Sequence, residues 1–194
     1  MLRFSISVFL LFMLLGCSSR NSEQDGSFVI DGKKVVVPLE VDGEPVPPDP
    51  GSDGDDTLLG IDHNVNGVRD DVERYIYARF QGFEHANKER AIAMQYGRAV
   101  QHILEFGAEK AMTSQQMMSK ASECEEYYYE QYHLNEDSKS QDILDAEYKD
   151  IVFNTRERLE IYFDYNAALS GKVFTVKIFP SLSTCEVDIT KIEN

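Results

Sequence analysis

Apolar side chains recur at a spacing of about 3.6 residues through most of the chain after Val68, and this pattern limits the fold more than any other feature. The stretches that carry it predict four helices, at Asp70–Gln81, Asn87–Phe106, Thr113–His133 and Ser140–Ser170. With 194 residues, the chain has room for one domain with its own apolar core. The sequence therefore predicts a mainly α, four-helix bundle-like domain.

Two capping patterns bear on where these helices begin. Thr113–Gln116 (TSQQ) has the form of a capping box and predicts the start of the third helix. Asn154–Glu157 (NTRE) has the same form inside the fourth helix and leaves a break there as an alternative. The apolar stripe keeps one face across this point, which favours one continuous helix ending at Gly171.

Strand patterns flank the helices. Phe28–Val41 contains two β-branched runs around Asp31-Gly32, a hairpin turn pair, and predicts a loosely docked hairpin. The proline-rich and acidic segment Pro45–Asp56 predicts an extended, disordered spacer. Val173–Phe179 and Thr184–Ile189 predict a short C-terminal β-hairpin.

Asp62–Glu73 (DHNVNGVRDDVE) carries the most specific chemical signal. Its spacing is that of an EF-hand-type calcium loop, with glycine at position six. The predicted ligands are the side chains of Asp62, Asn64, Asn66, Asp70 and Glu73 and the carbonyl of Val68. In an extracytoplasmic setting a weak structural Ca²⁺ site, with Kd on the order of 10⁻⁴–10⁻³ M, would suffice. The alternative is a turn at Asn66-Gly67 followed by a capping box at Asp70–Glu73.

Two features separate this loop from a paired EF-hand. Arg69 occupies position eight, where paired EF-hands carry an aliphatic residue. Upstream, the glycines at Gly51, Gly54 and Gly60 prevent an incoming helix. The sequence therefore favours a structural calcium clip over a sensor that opens a groove.

The N-terminus has the composition of an export signal. Ile6–Leu15 is an apolar run of about 10 residues, too short to cross a bilayer. The following Leu14-Leu15-Gly16-Cys17 resembles a bacterial lipobox. That resemblance implies a signal peptide at 1–16, lipidation of Cys17 and, from Ser18, sorting to the outer membrane. An ordinary cleaved signal with an incidental cysteine is the alternative.

These features divide the chain into a signal peptide (1–16), a lipid-anchored flexible linker (17–56) and a calcium-loop plus helical domain (57–194). Leu58–Ile76 resembles a segment found in uncharacterised lipoproteins and exported proteins of Gram-negative bacteria. The resemblance implies an envelope location and a single EF-hand-like loop, and it implies no activity. The protein would be anchored in the outer membrane, facing the periplasm or the cell surface.

With Cys17 lipidated, two of the three cysteines remain, Cys124 and Cys185. An exported chain meets an oxidising compartment, so this pair predicts a disulfide; two buried free thiols are the alternative. The disulfide would pin the C-terminal hairpin to the inner face of the third helix.

The net charge of the chain and its histidine–glutamate pairs limit the functions that the sequence allows. The whole chain has a formal charge of −15 with no basic patch, which excludes a nucleic-acid-binding role. A single Glu130-x-x-His133 pair falls short of a di-iron site, and His102 with Glu105 forms an ordinary surface pair. The sequence therefore predicts a non-catalytic binding or envelope-interaction module with a possible protein partner. An envelope enzyme, or less readily a metal-dependent redox bundle, is the alternative.

Overall fold

The computed structural model describes residues 26–132, 143–174 and 180–193. Five α-helices lie in these ranges: α1 Asp70–Arg79, α2 Ala86–Phe106, α3 Ala111–Gln131, α4 Ala146–Val152 and α5 Arg156–Leu169. The prediction of a mainly α protein is confirmed, whereas a four-helix bundle is not. No helix in these ranges is long and apolar enough to cross a membrane. The predicted signal peptide and Cys17 lie outside the described residues.

The N-terminal strands pair as the turn signal predicts. Strands β1 (Ser27–Ile30) and β2 (Lys33–Val36) are antiparallel around Asp31-Gly32. A second antiparallel pair, β3 (Glu40–Val41) and β4 (Glu44–Pro45), follows directly. The sequence does not predict this second pair, in which each strand is only two residues long.

The strands are docked on the helices. The Phe28 ring meets the Tyr75 ring of α1 edge to face, with 5.4 Å between centroids. Arg74 of α1 donates to the carbonyl of Pro47 at 2.9 Å, and Gly51–Asp55 forms a 3₁₀ turn. The segment that the sequence predicts to be an extended spacer is therefore packed against α1 over its described part.

The fourth predicted helix is two helices, so the prediction of one continuous helix is wrong. Helix α4 ends at Val152 and α5 starts at Arg156, and Thr155 is the N-cap, its side chain accepting from the Arg158 N–H. The break therefore falls where the second capping pattern allows it, one residue later than Asn154. The predicted cap of α3 is also wrong. That helix starts after Lys110, and Ser114 is fully buried and bonded to His102.

The C-terminal segment is not a β-hairpin in its described part. Thr184–Ile189 contains no strand, and 3₁₀ turns lie at Leu182–Thr184 and Ile189–Lys191. The central residues of the predicted first strand, 175–179, lie outside the described ranges. The Gln95 side chain of α2 pairs with the backbone of Thr184 and Glu186 in place of a strand partner.

Cys124 of α3 and Cys185 form a disulfide, as predicted. It fixes the C-terminal segment to the inner face of α3, where Cys124 is fully buried. The main core lies between α1, α2, α3 and α4. It consists chiefly of the predicted stripe residues, among them Val72, Ile76, Ile92, Tyr96, Val100, Ala121, Tyr128 and Tyr148.

Candidate metal centre

A turn at Gly60 precedes the predicted calcium loop, and this position requires glycine. Gly60 has a φ of +67°, in the left-handed region that side chains disfavour. A Cβ at this position would lie 2.4 Å from Cδ of Arg69. Position 60 therefore requires glycine both for its backbone conformation and for space, and this fixes where the loop begins.

The carboxylate of Asp62 closes the loop on itself. It accepts hydrogen bonds from the backbone N–H groups of Gly67, at 2.9 Å, and of Asn66, at 3.2 Å. Gly67 has the positive φ, +82°, that position six requires. The first predicted ligand is thus held in place by the backbone at positions five and six.

The loop tip holds a strained residue. Val65 is β-branched yet has a φ of 56°. Such a conformation costs on the order of 1–3 kcal/mol and persists only where the surroundings impose it. Here the flanking Asn64 and Asn66 are both fixed, because the Asn64 side chain accepts from the Asn66 N–H at 3.2 Å.

The last predicted ligand, Glu73, lies in the first turn of α1 and reaches back over the loop. Its Oε2 accepts from the side-chain amides of Asn66, at 2.8 Å, and Asn64, at 3.1 Å. Its Oε1 accepts from the Tyr77 hydroxyl at 2.8 Å. Burial, with the Glu73 bond as a second cause, raises the pKa of Tyr77, so this hydroxyl remains a donor.

Among the predicted ligands, side-chain hydrogen bonds join Asn64 and Asn66 to Glu73, whereas the Asp62 carboxylate is bonded to the backbone of the loop. The Asp70 side chain belongs to neither group. The Asp70 carboxylate is fully buried and accepts from both the backbone N–H and the ring Nδ1 of His63. This bond fastens the loop to the start of α1 instead of joining the Glu73 cluster. Val68, whose carbonyl is the predicted ligand, has its side chain buried against α2, where a Cβ on Gly97 would lie 2.9 Å from its Cγ1.

The side chains of Asp62, Asn64, Asn66 and Glu73 offer only oxygen atoms as metal ligands, the kind that hard cations take. Within the described residues, no group of three or more His, Cys, Asp or Glu side chains could hold a metal ion. The cluster contains only two carboxylates, those of Asp62 and Glu73, and two asparagine amides. Any ion held here would depend on amide and main-chain oxygens, which favour Ca²⁺ over transition metals.

Arg69 has a role that the sequence analysis missed. Its side chain is only 1% exposed, and it grips the Asp71 carboxylate with two bonds of 2.9 and 2.8 Å. The same guanidinium donates to the carbonyls of Val152 and Ile151, at 3.1 and 3.0 Å, at the end of α4. Arginine at position eight, where paired EF-hands carry an aliphatic residue, was the sequence feature that could have indicated this contact with α4.

A second buried arginine fastens the segment before the loop. Arg158 of α5 is fully buried and donates to the carbonyls of Leu58 and Thr57, at 3.0 and 2.9 Å, and to the Asp55 carboxylate, at 3.0 Å. Burial, with nearby Arg69 as a further cause, lowers the pKa of Arg158. The loop is thus fixed at its entrance by α5 and at its exit by α4.

Of the histidines considered in the sequence, His102 is bonded within the helices and not to the loop. The ring of His102 is bonded to Ser114, and burial lowers its pKa, with Lys110 as a second cause. His133 lies outside the described residues. Comparison of the chain with protein-family models, with curated proteins and with solved structures finds no match. Any function of this chain therefore has to be inferred from its own sequence and geometry.

Proposed function

We propose that the chain is an outer-membrane-anchored lipoprotein whose helical domain acts as a non-catalytic binding module and is stabilised by one Ca²⁺ ion at Asp62–Glu73. The single observation that carries the ion is the Glu73 carboxylate, which lies against both predicted amide ligands and beside the loop that Asp62 closes. The lipid anchor at Cys17 rests on the lipobox-like sequence.

In this proposal Asp62, Asn64, Asn66 and Glu73 supply side-chain oxygens, and Val68 supplies its carbonyl. The asparagines would turn their amide oxygens toward the ion, since the NH₂ groups now face Glu73. Asp70 would keep its bond to His63 and act through water or not at all. The ion supplies positive charge between two carboxylates and so ties the loop to α1.

Thermal unfolding of the full chain in a non-ionic detergent tests the ion. At a calcium concentration ten times Kd, linkage predicts a gain of about 1.4 kcal/mol. For a domain of this size that gain corresponds to a rise in Tm of roughly 2–5 °C. Asp62→Asn combined with Glu73→Gln should abolish the rise.

The matched control is Asp53→Asn with Glu84→Gln, which removes the same charge from two exposed positions outside the loop. It should keep the full calcium response. A wild-type Tm that does not change up to 10 mM calcium (about ten times the weakest expected Kd) would contradict the ion. Labelled palmitate should enter the wild-type chain and not Cys17→Ala, and equal labelling would contradict the anchor.

A further inference from the structure

The predicted calcium loop contains Asn66-Gly67, the one Asn-Gly pair in the sequence. Asparagine is a chemically labile residue, and it is most labile before glycine, which has no side chain to obstruct its own backbone nitrogen. Another residue in place of Gly67 would be strained, because the φ at this position is +82°. Both residues are half-buried, so water can reach them. The geometry of the loop therefore retains a pair that is prone to deamidation.

The reaction needs only water besides the chain itself. The backbone nitrogen of Gly67 gives up its proton and forms a bond to the side-chain carbonyl carbon of Asn66. The bond from that carbon to Nδ2 breaks, and this nitrogen leaves as ammonia with the proton that Gly67 gave up. Water then opens the five-membered imide to aspartate or isoaspartate. Nothing is oxidised or reduced, and a carboxylate replaces an amide at position 66.

The folded loop holds the nitrogen that would attack. The Gly67 N–H donates to Oδ2 of Asp62 at 2.9 Å. Beside this carboxylate, a nitrogen that has lost its proton would meet a like charge, so loss of the proton is disfavoured. The other oxygen of Asp62 accepts from the Asn66 N–H at 3.2 Å, which keeps the carboxylate in this position. The contact therefore makes the first step harder in the loop than in a flexible peptide.

The side chain that would be attacked is held at both ends. Oδ1 of Asn66 accepts from the Val68 N–H at 2.9 Å and so forms an Asx turn. Nδ2 of Asn66 donates to Oε2 of Glu73 at 2.8 Å. Ring closure requires the amide carbon to meet the Gly67 nitrogen along a defined direction, and both bonds restrict the rotation of the side chain toward it. The fold therefore opposes the second step as well.

We propose that Asn66-Gly67 is a deamidation site that Asp62 and Glu73 keep unreactive in the folded chain and that reacts when the loop opens. The proposal does not depend on an ion, because both contacts join groups of the chain itself. After the reaction, a carboxylate would face Glu73 in place of the amide that donates to it now. Like charges would then separate the loop from α1.

Peptide mass spectrometry tests the proposal by following the conversion of Asn66 to aspartate and isoaspartate over time. The full chain is incubated at pH 7 in a non-ionic detergent with a chelator, and the synthetic peptide Asp62–Glu73 in the same buffer is the reference. The peptide has the same residues without the fixed contacts, so Asn66 should react at least about tenfold more slowly in the folded chain. Asn64, which precedes the β-branched Val65, is the internal control and should stay unchanged in both.

Variants identify the contact that protects the site. Asp62→Ala removes the acceptor of the Gly67 N–H and should speed the reaction about tenfold, equivalent to about 1.4 kcal/mol in the barrier. Asp53→Ala removes the same charge from an exposed position outside the loop and should react like wild type. Ile189→Ala weakens the core far from the loop and, while circular dichroism shows it folded, should also react like wild type.

Equal rates for Asn66 in the folded chain and in the peptide would overturn the proposal, and this comparison decides it even where a variant does not fold. A folded Asp62→Ala chain that reacts no faster than wild type would overturn it too. A slower reaction in that variant would show that the carboxylate assists the loss of the proton, the opposite of what we propose. Since all samples contain chelator, these results are independent of whether the loop binds Ca²⁺.

Discussion

Arg69 donates a hydrogen bond to the carbonyl oxygen of Val152 across 3.1 Å, although the two residues are 83 positions apart. Val152 is the last residue of α4, so its carbonyl has no partner within that helix. The guanidinium satisfies this carbonyl and that of Ile151, and it places a positive charge at the negative end of the helix dipole. Arg69 therefore links the predicted calcium loop directly to the C-terminal end of α4.

Replacing Arg69 by lysine is expected to lower the free energy of unfolding by roughly 2–4 kcal/mol. An ammonium cannot grip Asp71 with two bonds and reach two carbonyls as well, so buried polar groups would lose their partners. Urea unfolding of the full chain measures the change. Arg156→Lys is the control: Arg156 is exposed beside Glu160, and its loss should cost less than about 0.5 kcal/mol. Equal effects would contradict the role of Arg69.

Removing the disulfide with Cys124→Ala and Cys185→Ala is expected to destabilise the chain by roughly 4 kcal/mol. The two residues are 61 positions apart, and the released loop adds conformational entropy to the unfolded chain. Thermal unfolding with and without a reducing agent measures the effect. The reductant should lower the Tm of wild type and leave that of the double variant unchanged; an unchanged wild type would contradict a stabilising disulfide.

Glu89→Gln is expected to stabilise the fold at pH 7. Burial raises the pKa of Glu89, and its Oε2 is buried without a hydrogen-bond partner in the described part of the chain. A carboxyl whose pKa is higher in the folded than in the unfolded state favours folding only while protonated, and this contribution is lost as pH rises through the folded pKa. Unfolding measured by circular dichroism at pH 7 and pH 4 should show a gain that shrinks at pH 4.

The exposed Glu84 supplies the control for that pH dependence. Glu84→Gln removes the same charge from the surface, and its effect on the free energy of unfolding should stay within about 0.5 kcal/mol at both pH values. A stabilisation by Glu89→Gln that is equal at pH 7 and pH 4 would show that the ionised form of Glu89 is not the cause.

The helices that apolar periodicity defines most clearly are those the sequence predicts best. Helix α1 was expected from Asp70 and starts there, and α2 begins within one residue of its predicted start and ends at Phe106 as predicted. Their apolar stripes are also the main core. The disulfide could be predicted because the apolar stripe places Cys124 on the inner face of α3 and because the export-like N-terminus predicts an oxidising compartment.

Features that depend on polar contacts between distant residues could not be predicted in the same way. Hydrophobic periodicity carries no signal for a buried arginine, so neither Arg69 nor Arg158 was assigned to the interior. The break before Thr155 was the less favoured alternative, because the apolar stripe stays in phase across it, while the capping bond that decides it is local. A cavity of about 590 Å³ between α2, α3, α4 and α5 depends on how these four helices pack, which the sequence of no single segment encodes.

The sequence predicts six ligands for the loop. The structure brings the amides of Asn64 and Asn66 onto the Glu73 carboxylate and holds the Asp62 carboxylate against the loop backbone. It turns Asp70 toward His63, a contact that loop spacing does not reveal because position nine of such loops is assigned only by analogy. Binding of Ca²⁺ by these residues stays a prediction, which thermal unfolding with and without calcium will test.

The docking of the N-terminal strands on α1 changes how far the domain could stand from a membrane. A flexible 40-residue linker from 17 to 56 would allow a long reach, but its described part contacts α1, through Phe28 on Tyr75 and through Pro47 on Arg74. If Cys17 carries lipid, only the covalent stretch up to Gly26 sets the reach. At about 3.5 Å per residue this is on the order of 30 Å at full extension. Such a lipoprotein would work on partners at the membrane surface and could not search the compartment beyond it.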